Sequence, residues 1–390
     1  MDLSFTPEEE RFRGEVKTWL DENLPKEWRH GGTGGFREED EESIQRQWQR
    51  RLYEAGWLKL AWPKADGGRD ATPVMQALYQ EEMAKAGAPP ILGRLGVSLL
   101  APTLRVHGTD WQKQHYIEKI LSGELIYCQG FSEPNAGSDL AGLRSRAERK
   151  GDKWVINGQK TWSSGAHYSD GAFYLARTEP MNPAKPHQNI GFFLLSLRQP
   201  GVEVRPIVQM TGSGEFCEMF ITDAEVDDRD LVPGDGWKIA MTTFGFERGG
   251  QANASRFERA VAALAEVARQ QHFTSDPTVR QRVAQAHIEA QIFRMTGLRN
   301  LTKAQQGAAP GPEASLTKLY WSEMDKRLQE TAIAVQGMYG ALDPDSAWAL
   351  EEGRWQYSWM WSQAETIYAG SSEIQRNIIA ERVLGMPRGR

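Results

Sequence analysis

Hydrophobic positions recur with a helical period at both ends of the chain and with a shorter, strand-like period in the middle. Near the start, Phe12, Val16 and Leu20 form one helical face, and Thr6 and Glu9 have the spacing of a capping box. Further helices are predicted over about 43–53, 73–86, 111–121, 256–270, 277–306, 313–339 and 344–363.

The hydrophobic pattern changes from helical to strand-like after about Gly123. In "KWVINGQKTW", Asn157-Gly158 lies between β-prone runs and predicts a hairpin turn. Four more runs predict strands: "GAFYLART", "IGFFLLSL", "VEVRPIVQM" and "CEMFITDAEV". We therefore expect an α+β chain with an N-terminal all-α domain (1–123), a middle β-barrel-like domain (124–235) and a C-terminal helical domain (236–390).

The C-terminal stretch "ETIYAGSSEIQRNIIAERVLGMPR" predicts a helix with an abrupt start. Gly370 interrupts what precedes it, Ser372 and Gln375 have capping-box spacing, and Gly385 ends it. The free N–H groups of a helix start attract anions. Ala369 stands directly before this start.

Composition narrows the class of protein. The 390 residues suggest two or three domains or one large composite fold, and 40% hydrophobic residues suffice for a sizeable core. A net charge of -6 without a long basic run disfavours nucleic acid as a partner. Two cysteines, Cys128 and Cys217, are too few for a disulfide framework and favour the cytoplasm. We expect neither a signal peptide at the acidic start nor a transmembrane segment.

The chain lacks the motifs of a Rossmann dehydrogenase, a P-loop NTPase and a zinc hydrolase, and we expect no metal site. Three other stretches offer chemistry. "CQGFSEPNAGSDLAG" (128–142) has small and hydroxyl residues that suit close ligand approach. "QKTWSSGAHYSD" (159–170) places two serines after a tryptophan. "TTFGFERGGQANA" (242–254) places Glu247 and Arg248 among small and apolar residues, where partial burial raises a carboxyl pKa.

Each stretch alone has a structural interpretation as well: a loop leading into the β domain, a packed tryptophan, a surface ion pair. Taken together and in order, "SEPNAGSDLAG", "WVINGQKTWSSGA" and "AGSSEIQRNIIAERVLG" resemble the acyl-CoA dehydrogenase family over essentially the whole chain. The resemblance implies a flavoprotein, usually a tetramer. It further implies FAD between the β domain and a C-terminal four-helix-bundle domain.

The resemblance assigns a set of FAD-binding positions, and it places Ser138 near the CoA pyrophosphate of the substrate as well. The FAD-binding positions are Gln129, Phe131, Ser132, Ser138, Trp162, Ser164, Arg280, Gln336, Gly340, Ser371 and Glu373. Two motifs depart from the family pattern. Tyr339 replaces the first Gly of a Q-x-x-G-G motif, and the residues at 282–284 are Arg-Val-Ala where the family has Thr-Phe-Gly.

Most family members carry the catalytic Glu at the position of Ala369. Isovaleryl-CoA and long-chain acyl-CoA dehydrogenases instead place it on the first long C-terminal helix, directly before an Arg. Glu247-Arg248 occupies that position here. We therefore expect Glu247 to be the base, Arg248 its electrostatic neighbour, and Ala369 to retain only its backbone N–H.

The implied reaction converts an acyl-CoA thioester to the trans-2-enoyl-CoA, as in β-oxidation of fatty acids and other lipids. Glu247 would remove the α-proton while the β-hydrogen leaves as hydride to the flavin. The Ala369 N–H and a flavin ribityl hydroxyl would bind the thioester oxygen, because enolate stabilisation is the main requirement. Electrons would pass to an electron-transfer flavoprotein, with Trp162 near the flavin edge.

Relatives with the relocated Glu tend to accept long, branched or bulky acyl groups, including sterol side chains. Two alternatives remain open. One is the non-catalytic partner subunit of a heteromeric enzyme, since Ala369 has no carboxylate, and the other is a flavin oxidase on the same fold. The sequence is equally compatible with a homotetramer and with a heterotetramer containing a related chain.

Overall fold

The computed structural model describes residues 5–29, 38–249, 254–307 and 311–387, and the side chains at 38–40 and 247–249 lie outside this description. Within these residues there are eleven α-helices. They are α1 Pro7–Asn23, α2 Glu38–Glu54, α3 Pro73–Lys85, α4 Ala101–His107, α5 Asp110–Ser122, α6 Gly236–Gly249, α7 Ala254–Gln270, α8 Pro277–Gln305, α9 Ala314–Val335, α10 Arg354–Glu365 and α11 Ser372–Ile378. Among the helices in these ranges, none is long and apolar enough to cross a membrane.

Eight strands lie between α5 and α6 and form one sheet. They are β1 Tyr127–Gly130, β2 Arg146–Lys150, β3 Lys153–Lys160, β4 Gly171–Arg177, β5 Ile190–Ser196, β6 Val202–Ile207, β7 Phe216–Asp227 and β8 Leu231–Val232. The strand order is β6-β7-β3-β2-β4-β5-β8, and β1 pairs with β4 in parallel. The predicted α+β class and the α, β, α order of elements are therefore confirmed.

The chain forms two compact units. The sheet unit comprises Glu38–Leu58 and Pro90–Gly250, and the helical unit comprises Met1–Arg37, Lys59–Pro89 and Gln251–Arg390. Of the predicted N-terminal helices, α1 and α3 belong to the helical unit, whereas α2, α4 and α5 belong to the sheet unit. The boundaries at 123/124 and 235/236 stay a prediction.

The core of the sheet unit lies around β4 and β5. All seven residues of β4 are buried, and only Ser196 of β5 is exposed. Side chains from β2, β3 and β7, including Ile156 and Met219, join the same apolar cluster. Such continuous burial explains why β4 and β5 are apolar runs without polar alternation.

In the helical unit, α7, α8, α9 and α10 share one apolar core. Phe257 and Val261 on α7 and Phe293 on α8 are buried together with Leu328 on α9 and Trp355 on α10. The rings of Phe257 and Phe293 meet edge to face, with centroids 5.4 Å apart. This arrangement matches the predicted four-helix bundle.

The predicted hairpin turn at Asn157-Gly158 is wrong. Both residues lie inside β3, where the pairing with β7 shifts between Ile156 and Gly158. The Asn157 amide donates to Asp223 Oδ1 at 3.0 Å, and a Cβ on Gly158 would overlap Ser145. The Asn-Gly pair therefore marks a β-bulge and a close approach of two strands. The β2–β3 turn occurs at Gly151 instead, with φ +67°.

Two predicted helix boundaries also move. The predicted helix over 344–363 begins only at Arg354, because Glu351 and Glu352 have left-handed φ of 48° and 57°. The predicted capping box at Ser372 and Gln375 is wrong by one residue. Ser371 is the N-cap, its Oγ accepting from the Ile374 N–H at 3.4 Å. The confirmed box is that of α1, where Thr6 and Glu9 exchange both bonds.

Candidate active site

The sheet unit carries six of the predicted cofactor positions. Gln129 lies in β1, and Phe131 and Ser132 follow at its end. Phe131 is buried and meets the rings of Phe173 and Phe192 edge to face, with centroids 5.6 and 5.9 Å away. The aromatic core of the sheet therefore fixes the loop at the residue that the family resemblance places against the flavin.

A buried ion pair between Glu133 and Lys160 anchors the same loop. Lys160 Nζ lies 2.8 Å from Glu133 Oε1 and also donates to the Phe131 carbonyl at 3.1 Å. The Glu133 carboxylate accepts the backbone N–H groups of Arg144 and Ser145 at 2.6 and 2.9 Å. One carboxylate thus ties both ends of the 131–145 loop to β3. The sequence analysis does not identify this pair, although a Glu and a Lys next to apolar strands can indicate a buried ion pair.

The electrostatics of this pair are asymmetric. Burial alone would raise the pKa of Glu133, but the Lys160 charge and the N–H donors outweigh it and lower that pKa. Burial also lowers the pKa of Lys160 to about 8, because desolvation of the ammonium exceeds the attraction of Glu133. The pairing thus stabilises the ionised form of Glu133, whereas burial destabilises the charged form of Lys160 more than the pairing stabilises it.

The turn after β3 carries Trp162 and Ser164. Trp162 has φ +61° and is 59% exposed, and its ring touches only the edge of Phe216 among the ring contacts of the described chain. A left-handed, exposed tryptophan is strained and is typical of a functional surface. Backbone bonds between Ser163 and Cys217, at 3.0 and 3.2 Å, hold the turn. Ser138 lies exposed in the loop before β2.

Helix α6 belongs to the same unit and carries Glu247 and Arg248. The ring of Phe244 meets that of Phe131 edge to face, with centroids 5.6 Å apart. The Thr243 hydroxyl lies 3.0 Å from that of Thr103 on α4. Position 247 therefore follows, one helical turn later, a residue that is packed against the 131–145 loop. We call this loop the cofactor loop, because the predicted FAD-binding positions Phe131, Ser132 and Ser138 lie on it. The side chains of Glu247 and Arg248 are outside the described residues.

The helical unit carries the remaining predicted positions. Gln336 ends α9 and donates to the Ala332 carbonyl at 3.1 Å. Gly340 lies so close to the Ile333 carbonyl that no Cβ fits, which explains the glycine. Arg280 is exposed on the first turn of α8, and Glu373 is exposed at the start of α11.

Between α10 and α11 the chain makes a left-handed turn through Ala369, with φ +52°, and Gly370, with φ +86°. Gln375 Nε2 donates to both of their carbonyls at 3.1 Å. No acceptor for the Ala369 N–H is found among the described residues. The turn is thus pinned through its carbonyls and leaves this donor available.

Three buried polar atoms test whether a cofactor fits these residues. Among the described residues, no hydrogen-bond partner is found for Gln129 Nε2 and Ser163 Oγ in the sheet unit or for Gln336 Oε1 in the helical unit, and the same holds for buried atoms elsewhere, such as Gln356 Oε1. Buried polar groups are normally satisfied, so each of these atoms is free to bond a water molecule or a polar ligand. Each unit therefore presents groups that fit a polar cofactor. Ser163 was missed by the sequence-based assignment, which named its neighbours.

The chain is similar to known proteins over nearly its whole length. Residues 6–124, 128–224 and 234–384 match the N-terminal, middle and C-terminal domains of acyl-CoA dehydrogenase, respectively. The chain is 42% identical to acyl-CoA dehydrogenase IpdE1 of Mycobacterium tuberculosis, covering 97% of this chain and 98% of the relative. It is 41% identical to IpdE1 of Mycolicibacterium smegmatis, covering 98% of both.

Two solved structures are similar over the full length of both chains. The Tcur3481-Tcur3483 steroid ACAD superposes with a TM-score of 0.86 at 29% identity. The ChsE4-ChsE5 complex from Mycobacterium tuberculosis gives a TM-score of 0.86 at 28% identity. The chain therefore belongs to the acyl-CoA dehydrogenase family, oxidoreductases that act on acyl-CoA and are generally FAD-dependent flavoproteins.

Proposed function

We propose that this protein catalyses FAD-dependent α,β-dehydrogenation of an acyl-CoA thioester with Glu247 as the base. The observation that carries the proposal is the N–H of Ala369, which has no acceptor among the described residues and lies in a left-handed turn without a carboxylate. A thioester needs a donor for its developing enolate oxygen and a base for its α-proton. Ala369 supplies only the hydrogen bond donor, so the base must be another residue.

Glu247 is the candidate for that second role. Its helix is joined to the cofactor loop through Phe244 and Phe131, one turn before position 247. Anchoring of this kind holds a catalytic helix within the small tolerance that proton transfer requires. Arg248 follows directly and would favour the ionised carboxylate by its charge.

FAD, when bound, supplies the acceptor for the β-hydrogen, which leaves as hydride. On the sheet unit, Phe131 and Trp162 would offer aromatic surface, while Gln129, Ser132 and Ser164 would offer hydrogen-bonding groups; Ser138 would serve both FAD and the CoA pyrophosphate. On the helical unit, the FAD-binding positions would be Arg280, Gln336, Gly340, Ser371 and Glu373. The orphaned Gln129 and Gln336 atoms support these assignments.

For the acyl group, we propose a bulky and steroid-derived chain. Support comes from the steroid ACAD among similar structures and from the relocated base. We further propose that an electron-transfer flavoprotein accepts the electrons and that the reaction takes place in the cytoplasm, consistent with free thiols at Cys128 and Cys217. The three domains would be 1–123, 124–235 and 236–390.

A second candidate function is that of a non-catalytic partner subunit. It is favoured by the missing carboxylate at Ala369 and by similar structures whose names join two chains, Tcur3481-Tcur3483 and ChsE4-ChsE5. An oxidase is the third candidate. Assembly as a homotetramer or as a heterotetramer with a related chain distinguishes the first two only in part, so activity must decide.

The deciding experiment uses the purified protein alone and a series of acyl-CoAs from short chains to steroid-derived thioesters. We expect a yellow protein whose flavin absorbance bleaches under anaerobic conditions with a bulky thioester. A colourless protein, or a yellow one that no thioester bleaches, would instead identify a partner subunit. Rapid peroxide formation in air without an added acceptor would identify an oxidase.

A further inference from the structure

The turn between α10 and α11 is hydrogen-bonded on both sides of the Ala369 N–H. On the upstream side, the Tyr368 N–H donates to the Ala364 carbonyl at 3.0 Å. On the downstream side, Gln375 Nε2 donates to the carbonyls of Ala369 and Gly370, each at 3.1 Å. The peptide group that joins Tyr368 to Ala369, and that carries the Ala369 N–H, therefore lies between two groups whose positions are fixed.

The side chain of Gln375 fits this turn closely. Gln375 is 2% exposed, and its amide has two N–H bonds, enough for both carbonyls. Among the described residues, no second donor to either carbonyl is found. A Cβ on Gly370 would lie 2.5 Å from Gln375 Nε2, so a side chain at residue 370 would displace the amide. The glycine and the amide thus depend on each other.

The helix that carries Gln375 is itself anchored to α9. The Ser372 hydroxyl donates to Glu323 Oε1 at 2.8 Å, and Arg376 Nη2 lies 3.2 Å from the same oxygen. The Gln375 N–H donates to the Ser371 carbonyl at 2.9 Å, in the first turn of α11. The side-chain amide therefore extends from a backbone that is held in place, and its two bonds can hold the turn.

Ala369 needs such support because its φ of +52° is unfavourable for a residue that has a Cβ. Strain of this kind persists only where the surrounding structure enforces it. If residue 369 relaxed to a negative φ, the peptide groups on its two sides would rotate relative to each other. The Ala369 N–H would then point in another direction, and the bonds from Gln375 oppose that rotation.

We propose that Gln375 is a positioning residue: its side-chain amide holds the turn left-handed at Ala369 and thereby fixes the direction of the Ala369 N–H. This inference rests on the proposed function, because only there does that N–H bind a thioester oxygen. Gln375 touches no reacting atom in this scheme and acts through the carbonyls of residues 369 and 370.

The first test compares flavin reduction in Gln375→Met and in the wild type, with the thioester that bleaches the wild type. Methionine has a similar length but no N–H groups, so most of the packing stays while both bonds are lost. The rate at saturating thioester should fall by about tenfold or more, because oxyanion stabilisation acts in the transition state. The thioester concentration that gives half the maximal rate should change by less than about threefold.

The matched control is Gln76→Met. Gln76 on α3 belongs to the same helical unit, and its Nε2 also donates to a backbone carbonyl, that of Ala71, at 2.9 Å. This variant should reduce flavin at the wild-type rate. Equal slowing of the two variants, or no slowing of Gln375→Met, would overturn the proposal.

A spectroscopic readout separates positioning from a general loss of stability. A hydrogen bond to a thioester carbonyl lowers its infrared stretching frequency, because the donor polarises the C=O bond. The probe is the isotope-labelled enoyl-CoA product, which cannot be dehydrogenated again. In the wild type its carbonyl band should shift to lower frequency on binding. Gln375→Met should lose part of that shift and Gln76→Met should keep it, and a full shift in Gln375→Met would contradict the proposal.

A third measurement needs no activity. Ala369→Gly relieves left-handed strain only while the turn holds residue 369 at a positive φ. The change in the free energy of unfolding on Ala369→Gly should therefore be less favourable in the Gln375→Met background than in the wild type or in Gln76→Met. The same change in all three backgrounds would refute the positioning role even in an active enzyme. Failure of the wild type to reduce flavin with any thioester would instead refute the proposed function.

Discussion

The ring of Phe131 stands edge-on to the ring of Phe244, with centroids 5.6 Å apart and planes at 87°. One ring belongs to the loop after β1 and the other to α6, one turn before Glu247. The contact therefore couples the position of a cofactor loop to that of the helix that carries the proposed base. Its removal tests this coupling directly.

Phe244→Leu should destabilise the protein by about 1 kcal/mol, because an edge-to-face aromatic pair is lost while most apolar contact remains. Flavin reduction should slow by about tenfold or more, since small displacements of a catalytic group are costly. Phe220→Leu is the matched control: Phe220 is also half-buried in the sheet unit, but it contacts Arg205 at the sheet edge. Equal rate losses in the two variants would contradict the coupling.

Glu247→Gln should retain bound flavin and lose flavin reduction by about 10²–10⁴-fold, the usual contribution of a general base. The measurement is the anaerobic single-turnover rate with the thioester that bleaches the wild type. Glu266→Gln, an exposed carboxylate on α7 paired with Arg269, should reduce flavin at the wild-type rate. A Glu247→Gln protein that reacts nearly as fast as the wild type would exclude Glu247 as the base.

Ala369→Gly should leave stability unchanged or raise it by about 1 kcal/mol, because glycine relieves the left-handed strain at φ +52°. The same substitution at Ala364, within α10, should instead cost about 1 kcal/mol. Thermal or denaturant unfolding of the two variants measures the contrast. Equal destabilisation at both positions would mean that residue 369 is not left-handed in solution.

Breaking the Glu133–Lys160 pair from one side should cost about 3–5 kcal/mol, because Lys160→Met leaves a buried carboxylate without its partner. The double variant Glu133→Gln, Lys160→Met should be more stable than Lys160→Met alone. Lys153→Met removes a partner of Glu225 from an exposed pair and should change stability little, because water screens the two charges. Chemical denaturation measures the free energy of unfolding of all three variants. A small loss of stability in Lys160→Met would show that the ion pair is not buried away from water.

The pH dependence of this pair has a defined sign. The pKa of Glu133 is lowered in the fold, so its contribution to stability is present above the ordinary Glu pKa and is lost as pH falls below it. The pKa of Lys160 is lowered to about 8, so the unfolded chain binds more protons between about 8 and its ordinary 10.5. The titration of Lys160 therefore makes the free energy of unfolding rise with pH across that interval, and Lys160→Met should remove this rise.

Periodicity was enough to predict the long elements. The α7 stripe and the buried runs of β4 and β5 were identified because each repeats one pattern over many residues. Predictions from local turn preferences are wrong where tertiary contacts determine the structure. Asn157-Gly158 has hairpin preference, but Gly158 is needed where β3 crosses close to Ser145. Ser372 has capping-box spacing, yet its hydroxyl is taken by Glu323 and Ser371 becomes the cap.

The candidate site, too, is predicted from the sequence only in part. Family motifs name the residues proposed to bind the cofactor, but they do not show what holds those residues in place. Glu133 and Lys160 are 27 positions apart. Arg256 on α7 and Glu365 on α10, which form an ion pair in the helical unit, are 109 positions apart. Neither pairing has a periodic or local signature, because it arises only when separate elements pack together.

The Ala369 donor has a further consequence for how this position tolerates change. Every residue except proline carries a backbone N–H, so other substitutions at 369 preserve the hydrogen bond donor, although the left-handed φ disfavours β-branched side chains there. Proline alone would delete it, and its fixed negative φ is also incompatible with the φ of +52°. The N–H proposed to bind the thioester oxygen therefore does not depend on whether residue 369 carries an acid.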